Sequence, residues 1–311
     1  MSRGGFFILF FFLLLGGALL IRLRPWQAKE EPRILPLSPP PCPPPPPCPL
    51  CPASTSSTRR CLVVYVLFGH ADRFLLGALR NAEQVPYVYP GAKALFLLHP
   101  EVNQTMVAEL RSRHALIEVL TLDQQTRFGI RDMPFHAWRS WRYLAPDVRD
   151  DWDMMLFRDV DSRLSMRERA AVEEWLQSPH LGFHVMRDHS HHPWPILAGT
   201  FGMRKAAYRA LPWNFTRLLQ TYRDYDKPYF FDQAMLGRVV WPQIRNQTRV
   251  HDAIYCMNTE LRGAITTGFP TKREWDNTIV GNQVHGNDEP VTRPGEVAPY
   301  ECRRYPSWTM G

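Results

Sequence analysis

Two carboxylates two residues apart, Asp159 and Asp161, carry the clearest chemical signal in the chain. They follow Met154-Met-Leu-Phe157, four apolar residues that predict a buried strand. Side chains alternate along an extended segment, so residues at i and i+2 point to one side, here at the strand end where ligands bind in open α/β sheets. Two oxygens fixed there suit Mg2+ or Mn2+, which accept carboxylate, water and phosphate oxygens together. Immediately downstream, Ser165-x-x-Glu168 reads as a capping box that opens a helix through Trp175-Leu176, ending at Ser178-Pro179. The pair would thus be held between a strand end and a helix start. The competing reading is two solvated turn aspartates, or ion pairs with Arg158 and Arg163.

Other polar residues cluster farther along. Arg187-Asp188-His189-Ser-His191-His192 offers several zinc-ligand types, but the histidines lie beside Ser and Pro, and a polar rim of an active site is the better reading. Gly199 and Gly202 allow backbone to approach a ligand closely. Tyr229-Phe-Phe-Asp232-Gln233 predicts the start of an apolar helix reaching Val240, with Asp232 either an amino-terminal cap or a group facing the crevice. Trp138, Trp141 and Tyr143, beside Arg139 and Arg142, form either an aromatic wall on which a ligand stacks or a stripe of core.

The elements that must position these groups read as an α/β pattern. Cys61-Leu-Val-Val-Tyr-Val-Leu-Phe68 predicts a buried strand, Gly69 a turn, and Phe74 to Ala82 a helix. A second strand at Ala94–Leu98, a helix from Val102 to Arg113 and a third strand near Leu116–Leu120 continue the alternation. Such alternation implies parallel strands joined by crossover helices. No internal repeat is visible.

The chain has 311 residues, 45% apolar, with a formal charge of +7. Its basic residues are dispersed among acidic ones, which argues against nucleic acid and leaves a general preference for anionic ligands. A Phe- and Leu-rich run, uncharged from Gly4 to Ile21, predicts a membrane-spanning signal-anchor over residues 6–23, after a cytosolic tail of residues 1–5. A cleaved signal peptide is the alternative. Residues 24–60 form a Pro-rich stalk, with polyproline runs between Pro36 and Pro52, and residues 61–311 the catalytic body. Three sequons, at Asn103, Asn214 and Asn246, all follow the apolar run, which places the body in the lumen as in a type II membrane protein. In an oxidising lumen Cys256 and Cys302 could pair, while Cys42, Cys48 and Cys51 in the stalk could link two chains.

The order Phe157-Arg-Asp159-Val-Asp161-Ser-Arg163, Arg187-Asp188-His189, Ile196-Leu-Ala-Gly199-Thr-Phe-Gly202, Asp232-Gln233 and His251-Asp252 resembles the GT-A glycosyltransferases, over Cys61 to Val291. It is also similar to the glycogenin and lipopolysaccharide galactosyltransferase group, although Ala198 stands where that group usually carries Asn. The resemblance implies a mostly parallel sheet flanked by helices, a Golgi enzyme, a nucleotide-diphosphate sugar donor and a glycan or glycoprotein acceptor. It places the metal on Asp159 and Asp161 with a third ligand late in the chain, His251 in preference to His285. It places the donor over the Gly69 turn, with Asp72 or Arg73 near base or ribose and Asp159, Gly199 and Gln233 also in contact. Asp188 and Asp232 fall around the sugars. Two other classes compete: a phosphatase of the haloacid dehalogenase type, whose Asp-x-Asp normally lies on the first strand, and a non-catalytic, lectin-like protein on a transferase fold.

The anchor-then-sequon order predicts an N-glycosylated membrane protein. Peptide N-glycosidase should increase gel mobility, and alkaline carbonate should leave the protein in the membrane fraction. Unchanged mobility together with cytosolic fractionation would contradict this topology.

Overall fold

In the computed structural model, residues 60–122, 135–222, 230–273, 279–285, 287–292 and 295–309 are described. The expected anchor and nearly all of the stalk lie outside them, with the stalk cysteines. No helix among the described residues is long and apolar enough to cross a membrane.

Eight strands form one mixed sheet: β1 (Cys61–Leu67), β2 (Lys93–Leu98), β3 (Ile117–Thr121), β4 (Met154–Arg158), β5 (Phe183–Arg187), β6 (Thr200–Arg204), β7 (Thr248–Asp252) and β8 (Ile265–Thr267). Their order is β3-β2-β1-β4-β6-β5-β7-β8. Only β6 runs against its neighbours, β4 and β5; the other pairings are parallel. The helices are α1 (Asp72–Val88), α2 (Gln104–Arg113), α3 (Ala145–Val148), α4 (Met166–Leu176), α5 (Lys205–Arg209), α6 (Phe215–Tyr222), α7 (Phe231–Met235) and α8 (Trp241–Ile244).

All seven residues of β1 are buried, as expected of a central parallel strand covered on both faces. Cys61, Val63, Tyr65 and Leu67 pack with Ala78, Ala82 and Val85 of α1 and with Val172 and Trp175 of α4. Leu62, Val64 and Val66 face the other way, towards Trp141, Tyr143, Phe157, Phe201 and Phe215. That second core decides the role of the aromatic row. Residues Phe135–Leu144 form a 3-10 helix in which Trp141 and Tyr143 are fully buried. Trp138 stacks on His99 with ring centroids 3.7 Å apart. Trp141 and Tyr143 are thus core, and the partly buried Trp138 packs against it, in line with the second of the two readings.

The alternation continues to the end of β4. Arg158 points towards α4 and is buried with Glu168, its Nε donating to Glu168 Oε1 at 2.6 Å. Tyr89 Oη donates to the same oxygen at 2.7 Å. The expected capping box is therefore half formed: Ser165 Oγ accepts from Glu168 N at 3.1 Å, but the Glu168 carboxylate turns inward to the guanidinium. A buried arginine demands a carboxylate more strongly than a helix end demands a second cap. Late in the chain Cys256 and Cys302 form a disulfide, matching the expected pair.

Candidate active site

Because every strand but β6 runs one way, the carboxyl ends of β1, β4 and β5 share one edge of the sheet with the amino end of β6. A cleft of about 450 Å3 opens there, walled by Phe68, Arg73, Arg139, Arg142, Asp159, Asp161, His191, His192, Trp194, Gly199, Asp232, Gln233 and Gln283, among others.

Asp159 projects opposite to Arg158, and Arg142 Nη1 meets its Oδ1 at 2.6 Å. Arg142 is itself buried and anchored by donating to the carbonyls of Arg139 and Arg158, at 2.9 and 3.0 Å. Neither Arg158 nor Arg163 pairs with the two aspartates; Arg163 Nε donates to Asp288 Oδ1 at 2.9 Å instead. The other oxygen of Asp159 lies over Gly199. In the antiparallel β4–β6 register Arg158 sits opposite Thr200, so Gly199 falls beside Asp159, where an added Cβ would stand 1.9 Å from Oδ2. Glycine is required here by close approach, not by a special backbone angle. The second glycine, Gly202, lies opposite Leu156 and near Trp175, inside the core and away from any ligand.

The loop carrying Asp161 is clamped by its backbone. Asn81, buried on α1, donates from Nδ2 to the carbonyl oxygens of both Val160 and Ser162, each at 3.0 Å. Gly77, one turn earlier, lets α1 press against the loop, for an added Cβ would meet the Val160 oxygen at 2.2 Å. Val284 N donates to the carbonyl of Asp161 at 2.8 Å, and Ser162 bridges Gln283. Burial first, and the neighbouring Asp159 charge second, push the Asp161 carboxyl up from 3.8 to about 6. A carboxylate pair of this kind, one member buried and the other open to the cleft, made of hard oxygen donors, fits Mg2+ or Mn2+ by its chemistry. Among the described residues no third His, Cys, Asp or Glu completes a metal cluster.

Asp232 lies in the first turn of α7 but is not its cap, which is Phe230. It is buried against the cleft, and burial raises its carboxyl above the ordinary carboxylate range despite the attraction of Arg142 and Arg139. Gln233 Oε1 accepts from Ala198 N at 2.7 Å and its Nε2 donates to Ile196 O at 3.3 Å, so it holds the strand of chain that delivers Gly199. Arg73, in the first turn of α1, also lines the cleft. Burial drives His192 down to about 4, which leaves this wall residue neutral at pH 7.

Four expected site residues are not among those that wall the cleft. His251 is fully buried in β7, its Nδ1 2.8 Å from His184 Nε2. Three strand spacings separate β7 from β4, about 14 Å, so His251 cannot share a cation with Asp159. Of the two late-chain candidates, His285 is the one beside the loop, directly after Val284. Asp188 is also buried, gripped by Arg167 Nε at 3.1 Å and Nη2 at 2.9 Å, by Arg273, and by Val280 N at 3.0 Å. Burial raises its carboxyl, but the two arginines outweigh that and leave it below the usual range. It ties the late segment to β5 and does not face sugars. Gly69 forms the turn after β1 at φ 74°, and Asp72 is exposed at the start of α1; neither is among the residues that wall the cleft. Conversely, Arg142 and Asn81 were not legible as site residues. The only sign of Asn81 is an amide within the stripe Ala78, Ala82 and Val85 that α1 turns to the core.

No family model matches the sequence, and no curated protein sequence matches it. Among solved structures the chain is similar to a glycosyltransferase involved in glycosylation of the major capsid of PBCV-1, at 13% identity, 66% of this chain, 91% of that chain and a TM-score of 0.42. It is similar to the galactosyltransferase LgtC in complex with donor and acceptor sugar analogs, at 13% identity, 71% of this chain, 91% of that chain and a TM-score of 0.43. A third is mouse xyloside xylosyltransferase 1 in its apo form, at 13% identity, 64% of this chain, 86% of that chain and a TM-score of 0.39. Likeness at this level carries no argument about chemistry, which must come from the cleft.

The raised Asp161 carboxyl predicts a specific pH dependence. Its folded-state value, about 6, exceeds the ordinary 3.8, so the ionised form destabilises the metal-free fold above pH 6, and that cost disappears as pH falls through 6 towards 4. In excess chelator, Asp161→Asn should raise the melting temperature by a few degrees at about pH 7.5, with the gain vanishing near about pH 4. An equal gain at both values, measured by scanning calorimetry, would contradict the assignment.

Proposed function

We propose that the chain is a GT-A-type glycosyltransferase that moves a sugar from a nucleotide-diphosphate donor to a glycan or glycoprotein acceptor. One observation carries this reading: the Asp159–Asp161 pair at the carboxyl end of β4 opens on a cleft also walled by Arg73, Arg139, Arg142 and Asp232. The cleft's size lies in the range of small-molecule sites, roughly 300–1,000 Å3. Mn2+ or Mg2+ held by Asp159 and Asp161, with water and diphosphate oxygens as the remaining ligands, would offset the charge that grows on the departing diphosphate.

The chain's own residues divide the remaining work. Arg142 fixes the orientation of Asp159, and Asn81 that of the loop bearing Asp161. Arg73 and Arg139 present guanidinium groups suited to phosphate oxygens. Asp232 is the carboxylate available to the sugars. It acts as general base if the acceptor hydroxyl attacks the donor carbon directly, and otherwise orients sugar hydroxyls and steadies the cationic centre. Gln233 keeps Gly199 in place so that the Asp159 carboxylate has room.

The site of action in this proposal is the lumen of the secretory pathway, with the body anchored in the Golgi membrane as a type II protein. Asn103, Asn214 and Asn246 are all exposed, and the Cys256–Cys302 disulfide suits an oxidising compartment. Linkage of two chains through the stalk cysteines belongs to the same proposal.

The full-length protein should hydrolyse one member of a nucleotide-sugar panel with Mn2+ or Mg2+, and excess chelator should abolish that hydrolysis. Asp232→Asn, which keeps the side chain's shape and removes a buried charge, should leave the melting temperature at or above that of the parent and lower turnover by about a hundredfold. Hydrolysis of no donor, or full activity in chelator, would contradict the proposal.

A further inference from the structure

A second cavity, of about 520 Å3, adjoins the cleft and is lined by Trp194, Gly237, Arg238, Trp241, Arg245 and Glu260, with the two flanking prolines. Trp194 walls both spaces. One run of helix does the same: Asp232 and Gln233 of α7 face the cleft, while Gly237, Arg238, Trp241 and Arg245 on the following turns face the outer cavity. Residues Leu236–Val240, which carry Gly237 and Arg238, form a π-turn, a wide turn found often at functional sites.

The aromatic wall is built, not incidental. Trp194 is 37% exposed, yet its ring rests against the helix, where an added Cβ on Gly237 would meet Cε3 at 3.6 Å. Its carbonyl accepts from Arg187 Nη1 at 3.2 Å, and Arg187 is fully buried in an ion pair with Asp252. Trp241 is fixed in turn, its Nε1 donating to Glu260 O at 2.9 Å. An exposed indole face rimmed by guanidinium groups and a carboxylate matches one ligand chemistry well. A pyranose offers an apolar C–H face to the indole, and vicinal hydroxyls that take paired hydrogen bonds from arginine and donate to a carboxylate.

We propose that this outer cavity binds the acceptor glycan, holding the sugar units next to the one that receives the transferred residue. The inference rests on the sugar-transfer reading above, because it is the shared Trp194 wall that lets an acceptor seated outside reach the donor cleft. Arg245 and Glu260 line only the outer cavity, so they serve acceptor binding and leave donor binding alone.

The test uses the full-length protein in a detergent without a sugar headgroup. Saturation-transfer NMR is run against methyl glycosides and oligosaccharides of hexoses, pentoses, N-acetylhexosamines and hexuronic acids. UDP and GDP affinity with Mn2+ is measured in parallel. At least one oligosaccharide should bind; Arg245→Ala and Glu260→Gln should each weaken it by about tenfold, the loss of one good polar contact, while nucleotide affinity stays within about twofold. Nucleotide binding with no saccharide binding, or saccharide binding indifferent to both substitutions, overturns the inference and leaves the transfer reading standing. Saccharide binding that depends on both residues, with no nucleotide bound, contradicts the transfer reading and the acceptor role with it.

Discussion

Two ion pairs set back to back at the end of β4 determine where everything else in the site can be. Arg158 and Asp159 are neighbours in sequence and point to opposite faces of the sheet, the first to Glu168 on α4, the second to Arg142 beneath the cleft. The Arg158–Glu168 pair is buried almost completely, so removing Glu168 would strand a guanidinium in the core at a cost of about 3–5 kcal/mol. With both ends fixed the strand cannot slide or roll. Asp161 then leaves the sheet along a path that Asn81, Gly77 and Val284 define through backbone contacts.

The reversal of β6 is the second constraint, and it serves the first. A parallel strand beside β4 would bring its carboxyl end to this edge; the antiparallel one brings Gly199, the residue whose missing side chain gives Asp159 its space. Gln233 links that segment to α7, the helix that also carries Asp232. The two carboxylates on β4's loop and the one on α7 thus reach the same cleft from different elements, with Arg73, Arg139 and Arg142 interspersed. In the function proposed, such a mixture of fixed charges would suit a ligand that is itself an anion bound with a cation. A neutral ligand would leave the Asp159–Asp161 repulsion in place, and burial with that repulsion pushes Asp161 up to about 6 despite the attraction of Arg73 and Arg142.

Much of this was legible in the residues, for physical reasons that also mark the boundary. The strands β1, β2 and β4 are continuous apolar runs closed by turn residues, and the Asp-x-Asp pair inherits its placement from the strand before it. Ser165 signals its helix start because a cap is a local interaction. What could not be read depended on long-range packing. Asp188 sits in a more polar sequence context than Asp232, yet Arg167 and Arg273, far from it in the chain, bury it as a tie. His251 looked available until the strand order placed β6 and β5 between β7 and β4. Arg142 was one of two arginines in an aromatic row, and only folding of that row into a 3-10 helix aims it at Asp159.

The central claim is that Asp159 and Asp161 together hold a divalent cation to which a diphosphate then binds. The most direct measurement is the electron paramagnetic resonance signal of free Mn2+ titrated with the full-length protein, with and without a nucleoside diphosphate. The account predicts loss of the free signal on adding protein, strengthened by the nucleotide. Asp159→Asn, which keeps an acceptor for the buried Arg142, or Asp161→Asn should restore the free signal with the circular dichroism of the parent retained. Undiminished Mn2+ binding by these two variants, with the parent's circular dichroism, would contradict it.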